Sequence, residues 1–258
     1  MNAASISYAK SETIDAIVAR EWEMFVAVNE KNGNRAACQE DPESFTVMRR
    51  SQFAIWSEAA AASYLNDLIV AGEQGRNLLQ EKYVLMMLID APQLTETYLP
   101  LVHLPEEGAF ALADAILALM MRQTRILRQR YPYFGRRGRP LTAGDASRSE
   151  VSIQSYQLGE LLTYSEATLK LLLEQIELLE SQGISIVEEI LLGEMRSCGF
   201  ASLEDAEKTA RQQNAEAVVA TAAAPEATAA TAAAAGTSTP AVAAPTPVSV
   251  SATGASHA

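Results

Sequence analysis

Through residues 1–212 the hydrophobic positions recur every three or four residues, the spacing of helices that each bury one face. Ile14, Ile17, Val18, Phe25 and Val28 form one such stripe, on a helix that Ser11 can cap and that runs to about Asn29. A polar connection, Glu30 to Pro42, leads to helices predicted over Ser44–Trp56 and Ser57–Glu73. Gly75 stops the second of these, and Asn77 opens another with Gln80 in place for a capping box. A proline-punctuated link from Pro92 to Pro105 precedes a long helix, Glu106 to about Arg130, which Pro132 ends. After a Gly/Arg-rich loop, Gly135–Ser149, the pattern predicts helices over Ser152–Tyr164, Ser165–Gln182, Ile186–Cys198 and Leu203–Gln212. The fold class that follows is all-α.

The later helices repeat the earlier ones. Ser44 and Ser152, Ser57-Glu58-Ala59 and Ser165-Glu166-Ala167, Leu65 and Leu173, and Gln74-Gly75 and Gln182-Gly183 all stand 108 positions apart. So do Glu81 and Glu189, and Met87 and Met195, and no gap interrupts the match. Trp56 falls on Tyr164, and the cap at Asn77 falls on Ser185. Caps, stops and polar exceptions align along with apolar residues, which points to two tandem halves, about 11–90 and 106–212. Like halves of this kind pack around a pseudo-twofold axis. From residue 213 to 258 the chain is almost wholly Ala, Thr, Pro, Val, Ser and Gly, without aromatics. Such a tail buries too little apolar surface to offset its ordering entropy, so it is expected to be disordered.

Polar residues on apolar stripes mark where a site would lie. Glu21 stands between Ile17/Val18 and Phe25, where helical spacing calls for a hydrophobe. The stripe Phe45, Met48, Gln52, Trp56 carries Arg49 on its flank; its counterpart Ile153, Tyr156, Glu160, Tyr164 carries Gln157. Buried charges need partners. One outcome is internal pairing of Glu21 or Glu160 with Arg49, Arg35 or Arg139. The other is a ligand pocket between the halves, in which Arg35, Gln39, Arg49, Gln52, Arg139 and Gln157 hold a carboxylate or phosphate. Trp22, Trp56, Tyr156 and Tyr164 would wall it, and a raised-pKa Glu21 or Glu160 would be the catalytic acid or base.

A net charge of −12 argues against general affinity for nucleic acid or anionic membranes. Arg137-Gly138-Arg139-Pro140 matches the core of a minor-groove reader, but it occurs once, in an acidic chain. With only His103 and His257, no Glu-x-x-His pair exists for a bundle metal site, and no cofactor motif is present. Cys38 and Cys198 form no CxxC pair, which suits a reducing compartment. The N-terminus lacks a signal-peptide core, and no stretch reaches the ~20 apolar residues of a membrane span. A cytoplasmic location is expected.

The motifs Arg20-Glu21-Trp22-Glu23-Met24-Phe25, Gly33-Asn34-Arg35-Ala36-Ala37-Cys38-Gln39, Phe45-x-x-Met48-Arg49-x-Ser51-Gln52, Gly75-Arg76-Asn77-Leu78, Gly138-Arg139-Pro140 and Thr163-Tyr164-Ser165 stand in this order. Together they resemble the bacterial family catalogued as "domain of unknown function 4125", over nearly all of residues 12–208. The resemblance implies a domain boundary and no activity; some relatives carry a nucleotidyltransferase-like domain. Gly33-Asn34 and Ile184-Ser185-Ile186 depart from the family's usual Gly-Gly and Gly-Asn-Leu, and Ser185 keeps the cap. The leading expectation is a small anionic or zwitterionic ligand bound between the halves, with or without catalysis. The alternative is a non-catalytic module that docks a protein partner, such as a nucleotidyltransferase, and A/T-rich DNA binding through Arg137–Pro140 comes third.

Overall fold

The computed structural model describes residues 6–28, 37–135, 138–145 and 151–223. Among them, helices α1 (Ser11–Val26), α2 (Pro42–Ala54), α3 (Glu58–Glu73) and α4 (Leu78–Asp90) come first. The link that follows is turned into α5 (Thr95–Tyr98) and short 3-10 segments, and leads to the long α6 (Glu107–Arg130) and the single turn α7 (Pro132–Gly135). Helices α8 (Ile153–Leu161), α9 (Glu166–Ser181), α10 (Ile186–Ser197) and α11 (Leu203–Ala223) complete the order. No strand occurs among the described residues beyond an isolated bridge between Tyr8 and Ser57.

The helix ends are set by local chemistry. Ser57, Asn77, Ser152, Ser165 and Ser185 each accept from the backbone N–H three residues on, capping α3, α4, α8, α9 and α10. Two glycines stop α3 and α9 in the left-handed conformation, Gly75 at φ 69° and Gly183 at φ 74°. In each case the following N–H reaches back to the helix, Arg76 to the Ala71 carbonyl (2.8 Å) and Ile184 to that of Leu179 (2.9 Å). Several boundaries differ from expectation, among them the ends of α2 and α8, which stop at Ala54 and Leu161 instead of Trp56 and Tyr164. Lys10, not Ser11, occupies the α1 cap position. Helix α2 starts at Pro42, because Asp41 accepts from Ser44 N and proline suits the first turn. Helix α11 continues past Gln212 to Ala223; once Leu203, Ala206 and Ala210 dock, extension through Ala, Glu and Gln is cheap. Residues 224–258 of the expected tail lie outside the described residues.

The packing is reciprocal in pattern. Helix α1 lies on α2, α3 and α4, while α6 lies on α8, α9 and α10. Helix α2 packs against α10, α4 against α8, and α3 against α9. At the α3–α9 crossing, Ser57 N donates to Gln175 Oε1 (2.7 Å) and Ser165 N donates to Asp67 Oδ2 (3.0 Å). Both members of the second bond stand 108 positions from their counterparts in the first. Trp56 meets Tyr164 edge to face, with ring centres 5.8 Å apart. One large core lies between these helices, and a smaller one joins α7, α10 and α11 to the end of α6.

One close approach positions the site. A Cβ on Gly159 would stand 2.6 Å from Met86 Cγ and 3.0 Å from the Lys82 carbonyl. Glycine therefore lets α8 seat on α4, which brings Lys82 beside Glu160.

Candidate functional site

Where α1, α2, α4 and α8 meet, the inward polar residues form one cluster. Arg49 grips Glu21 with two bonds, Nε to Oε2 (2.6 Å) and Nη2 to Oε1 (2.5 Å). Tyr64 OH adds a third donor to Glu21 Oε1 (2.7 Å). Glu160 Oε1 accepts from Arg49 Nη2 (3.0 Å), Gln52 Nε2 (2.8 Å) and Tyr164 OH (2.6 Å). Its other oxygen accepts from Lys82 Nζ (2.6 Å). Two cations thus answer two carboxylates, and Gln52 Oε1 takes a further bond from Arg49 Nη1 (2.7 Å).

Burial raises the Glu160 carboxyl, but Arg49 and Lys82 outweigh it and hold the group well below its ordinary range. Burial lowers Arg49 in the same way, and Glu160 and Glu21 outweigh it, so the guanidinium stays charged. Burial and then Glu21 push the Tyr64 hydroxyl well up, and burial and then Glu160 do the same for Tyr164. Both remain donors.

Beside this cluster lies a cavity of about 360 Å³, bounded by α2, α4, α6, α8, α10, α7 and the Gly138–Arg139 loop. Its wall is mostly apolar, with Phe45, Trp56, Tyr83, Leu127, Phe134, Tyr156 and Ile190 among its members. Four polar groups stand out. Arg139 lies over the Tyr156 ring (5.2 Å) and donates from Nη1 to the Val151 carbonyl (3.1 Å). Arg128 donates to the Arg139 carbonyl. Among the described residues, neither arginine is ion-paired with a carboxylate. Gln157 Oε1 is buried and has no hydrogen-bond partner among the described residues. Glu194, on α10, has no ion-pair partner among the described residues, and burial alone pushes its carboxyl up to about 7.

The sequence candidates separate accordingly. Arg49, Gln52, Trp56, Arg139, Tyr156, Gln157, Glu160 and Tyr164 all line the cavity. Glu21 does not: it is wholly buried behind Arg49. Trp22 packs against Phe45 (5.2 Å between ring centres) and lies outside the wall. Gln39 is likewise outside it, and its side-chain amide donates to the Phe25 and Val28 carbonyls at the end of α1. Arg35 lies outside the described residues, as does Arg137 of the minor-groove motif. Of the rest of that motif, Gly138 is exposed, Pro140 accepts from Ile153 N (2.8 Å), and Arg139 lines the cavity. The raised pKa expected of Glu160 is corrected: two cations hold it ionised. Cys38 lines the cavity too, but burial pushes its thiol up, away from a reactive thiolate.

Lys82, Tyr64, Arg128 and Glu194 are the residues that sequence reasoning missed. Two were within reach of the rule that found Glu21. Lys82 sits between Leu78/Leu79 and Leu85/Met86, and Glu194 follows Ile186/Val187 and Ile190/Leu191 on one stripe.

The chain matches the family described as "Protein of unknown function (DUF4125)" over residues 11–208. It belongs to that family. The match spans α1 through the first turns of α11, so the cluster and the cavity both lie within the family domain. No curated protein and no solved structure matches the chain. Among the described residues no helix is long and apolar enough to cross a membrane.

Proposed function

We propose that this DUF4125 domain binds a small anionic or zwitterionic molecule with an apolar body in the cavity between two duplicated halves. The observation that carries the reading is the state of the wall's polar groups. Among the described residues Arg139 and Arg128 line a largely apolar cavity with no carboxylate in ion-pair contact, Asp145 acting on Arg128 only from farther off, and Gln157 Oε1 beside them is buried and unbonded. Buried polar groups are normally satisfied, so a cavity lined by an unbonded amide oxygen and by two arginines without ion pairs suits a ligand that completes them. For Arg49 the internal pairing with Glu21 and Glu160, one of the two outcomes expected from sequence, is the one found, and Gln52 joins it. They are spent on Glu21 and Glu160, and they stiffen one side of the cavity.

The duplication is supported by the two equivalent bonds across α3 and α9 and by the matched pairs α2–α10 and α4–α8. Trp56 against Tyr164, and Gln52 against Glu160, are corresponding residues in direct contact, as a pseudo-twofold axis between the halves requires.

The test is thermal denaturation of the full chain with fatty acids from pentanoate to nonanoate and their alkyl phosphate analogues. At least one of them raises the melting temperature of the wild type, and Arg139→Ala abolishes the rise while its circular dichroism stays native. A wild type that none of these anions stabilises, or an Arg139→Ala protein that responds like it, sinks the proposal.

A further inference from the structure

We infer that Glu194 is a second polar pole of the cavity, and that the ligand carries an ammonium or amine N–H for Glu194 to accept as well as its acidic group. This rests on the ligand-binding reading and narrows it to a two-ended, amino-acid-like class. The support begins with a charge count around the cavity. Glu21 and Glu160 are matched by Arg49 and Lys82, and Asp41 is engaged in capping α2 through Ser44 N. Among the described residues that line the cavity, Glu194 is the carboxylate left over.

Its surroundings explain why it is not answered from within. On α10 it follows Ile190 and Leu191, which also line the cavity. Across from it, α2 presents Asp41 and Arg49, both committed, and α6 presents Arg128, which donates to a backbone carbonyl. The α11 carboxylates are also engaged: Glu204 accepts from Tyr131 OH (2.6 Å), and Glu207 from Tyr133 N (3.0 Å) and Phe134 N (2.8 Å). The hydroxyl of Thr124, the other polar wall residue on α6, donates to the Met120 carbonyl (2.8 Å). The position corresponding to Glu194 in the first half is Met86, an apolar residue packed on Gly159. A carboxylate in the methionine's place, facing a cavity instead of a neighbouring helix, has room for a cation and no resident one.

A purely anionic ligand would leave this carboxyl unpaired against a largely apolar wall, which is costly whenever it is ionised. A ligand with a positive end satisfies it. Binding then favours the ionised carboxylate and releases a proton near pH 7, where burial has placed this group.

Isothermal titration of the full chain with ω-amino acids and matching fatty acids, from pentanoate to nonanoate, tests this at pH 8 and pH 6. At the best length, the ω-amino acid binds wild type at least tenfold tighter than the fatty acid at pH 8. That advantage falls roughly tenfold at pH 6, where only about a tenth of the carboxyl is ionised. Glu194→Gln removes it while fatty-acid binding and circular dichroism remain. If fatty acids bind through Arg139 but the amino group adds nothing, or adds as much in Glu194→Gln, Glu194 is no second pole and the anion reading stands. An advantage that grows at pH 6 also overturns it, since a protonated Glu194 would then be the donor. If no probe binds, both readings fall together.

Discussion

Arg49 and Gln157 stand 108 residues apart at corresponding places on α2 and α8, and they meet opposite circumstances. Around Arg49 the interior is complete: two carboxylates, a lysine and two tyrosine hydroxyls meet within hydrogen-bonding distance. Around Gln157 it is incomplete. Lys82 is replaced by Ile190, Met86 by Glu194, and Arg49 by an amide whose oxygen has no partner. The helices around Arg49 therefore enclose an ionic cluster, and those around Gln157 border an open cavity. Polar residues in a protein interior act as scaffold when they satisfy one another, and are free for a ligand when they do not.

Removing the centre of the closed side has the largest effect. Arg49→Ala leaves Glu21 and Glu160 buried with too few partners, a loss of about 3–5 kcal/mol. For a domain of this size that lowers Tm by roughly 10 °C or more, as thermal denaturation would read. A variant with near wild-type Tm would show that the cluster is not scaffold.

Glu194 behaves oppositely, with a definite sign in pH. Its folded-state pKa is raised from 4.5 to about 7. Below pH 4.5 both states are protonated and its stabilising effect is fully present. As pH rises towards 7 the unfolded chain gives up its proton first, and roughly 2–3 kcal/mol is lost. Glu194→Gln removes that dependence, so it matches wild type at pH 4.5 and exceeds it at pH 8 in urea denaturation. Parallel curves for the two proteins would contradict the comparison.

The joint between the regions comes next. Gly159→Ala pushes a Cβ against Met86 Cγ and the backbone of α4, costing about 1–3 kcal/mol. Double-mutant cycles with Lys82→Met should show coupling, because the same approach seats Lys82 on Glu160. Smallest is Gln157→Met, within about 0.5 kcal/mol of wild type, since it removes an unbonded oxygen and keeps volume. A large loss there would mean Gln157 belongs to the scaffold.

Most element boundaries were readable because caps and stops act over three or four residues. Ser57, Asn77, Gly75 and their counterparts Ser165, Ser185 and Gly183 do locally what their side chains dictate. The inward polar set Glu21, Arg49, Gln52 and Glu160 was also readable, because a polar residue on an apolar stripe is visible from spacing alone. Which groups pair was not. Lys82 and Glu160 are 78 residues apart, and Arg49 and Glu160 are 111 apart, so their meeting depends on how α2, α4 and α8 cross.

By itself, then, the sequence determined the all-helical class, most helix starts and stops, and part of the inward polar set, namely Glu21, Arg49, Gln52 and Glu160, which follow from short-range periodicity and capping. Only the tertiary structure decided that Lys82 and Tyr64 complete the cluster, that Glu21, Trp22 and Gln39 stand off the cavity, and that among the described residues Gln157 Oε1 lacks a hydrogen bond there while Arg139 and Glu194 lack an ion pair. The physical reason is that satisfaction of a buried polar group is a property of its neighbours in space, and those are set by helix crossings that no local pattern encodes.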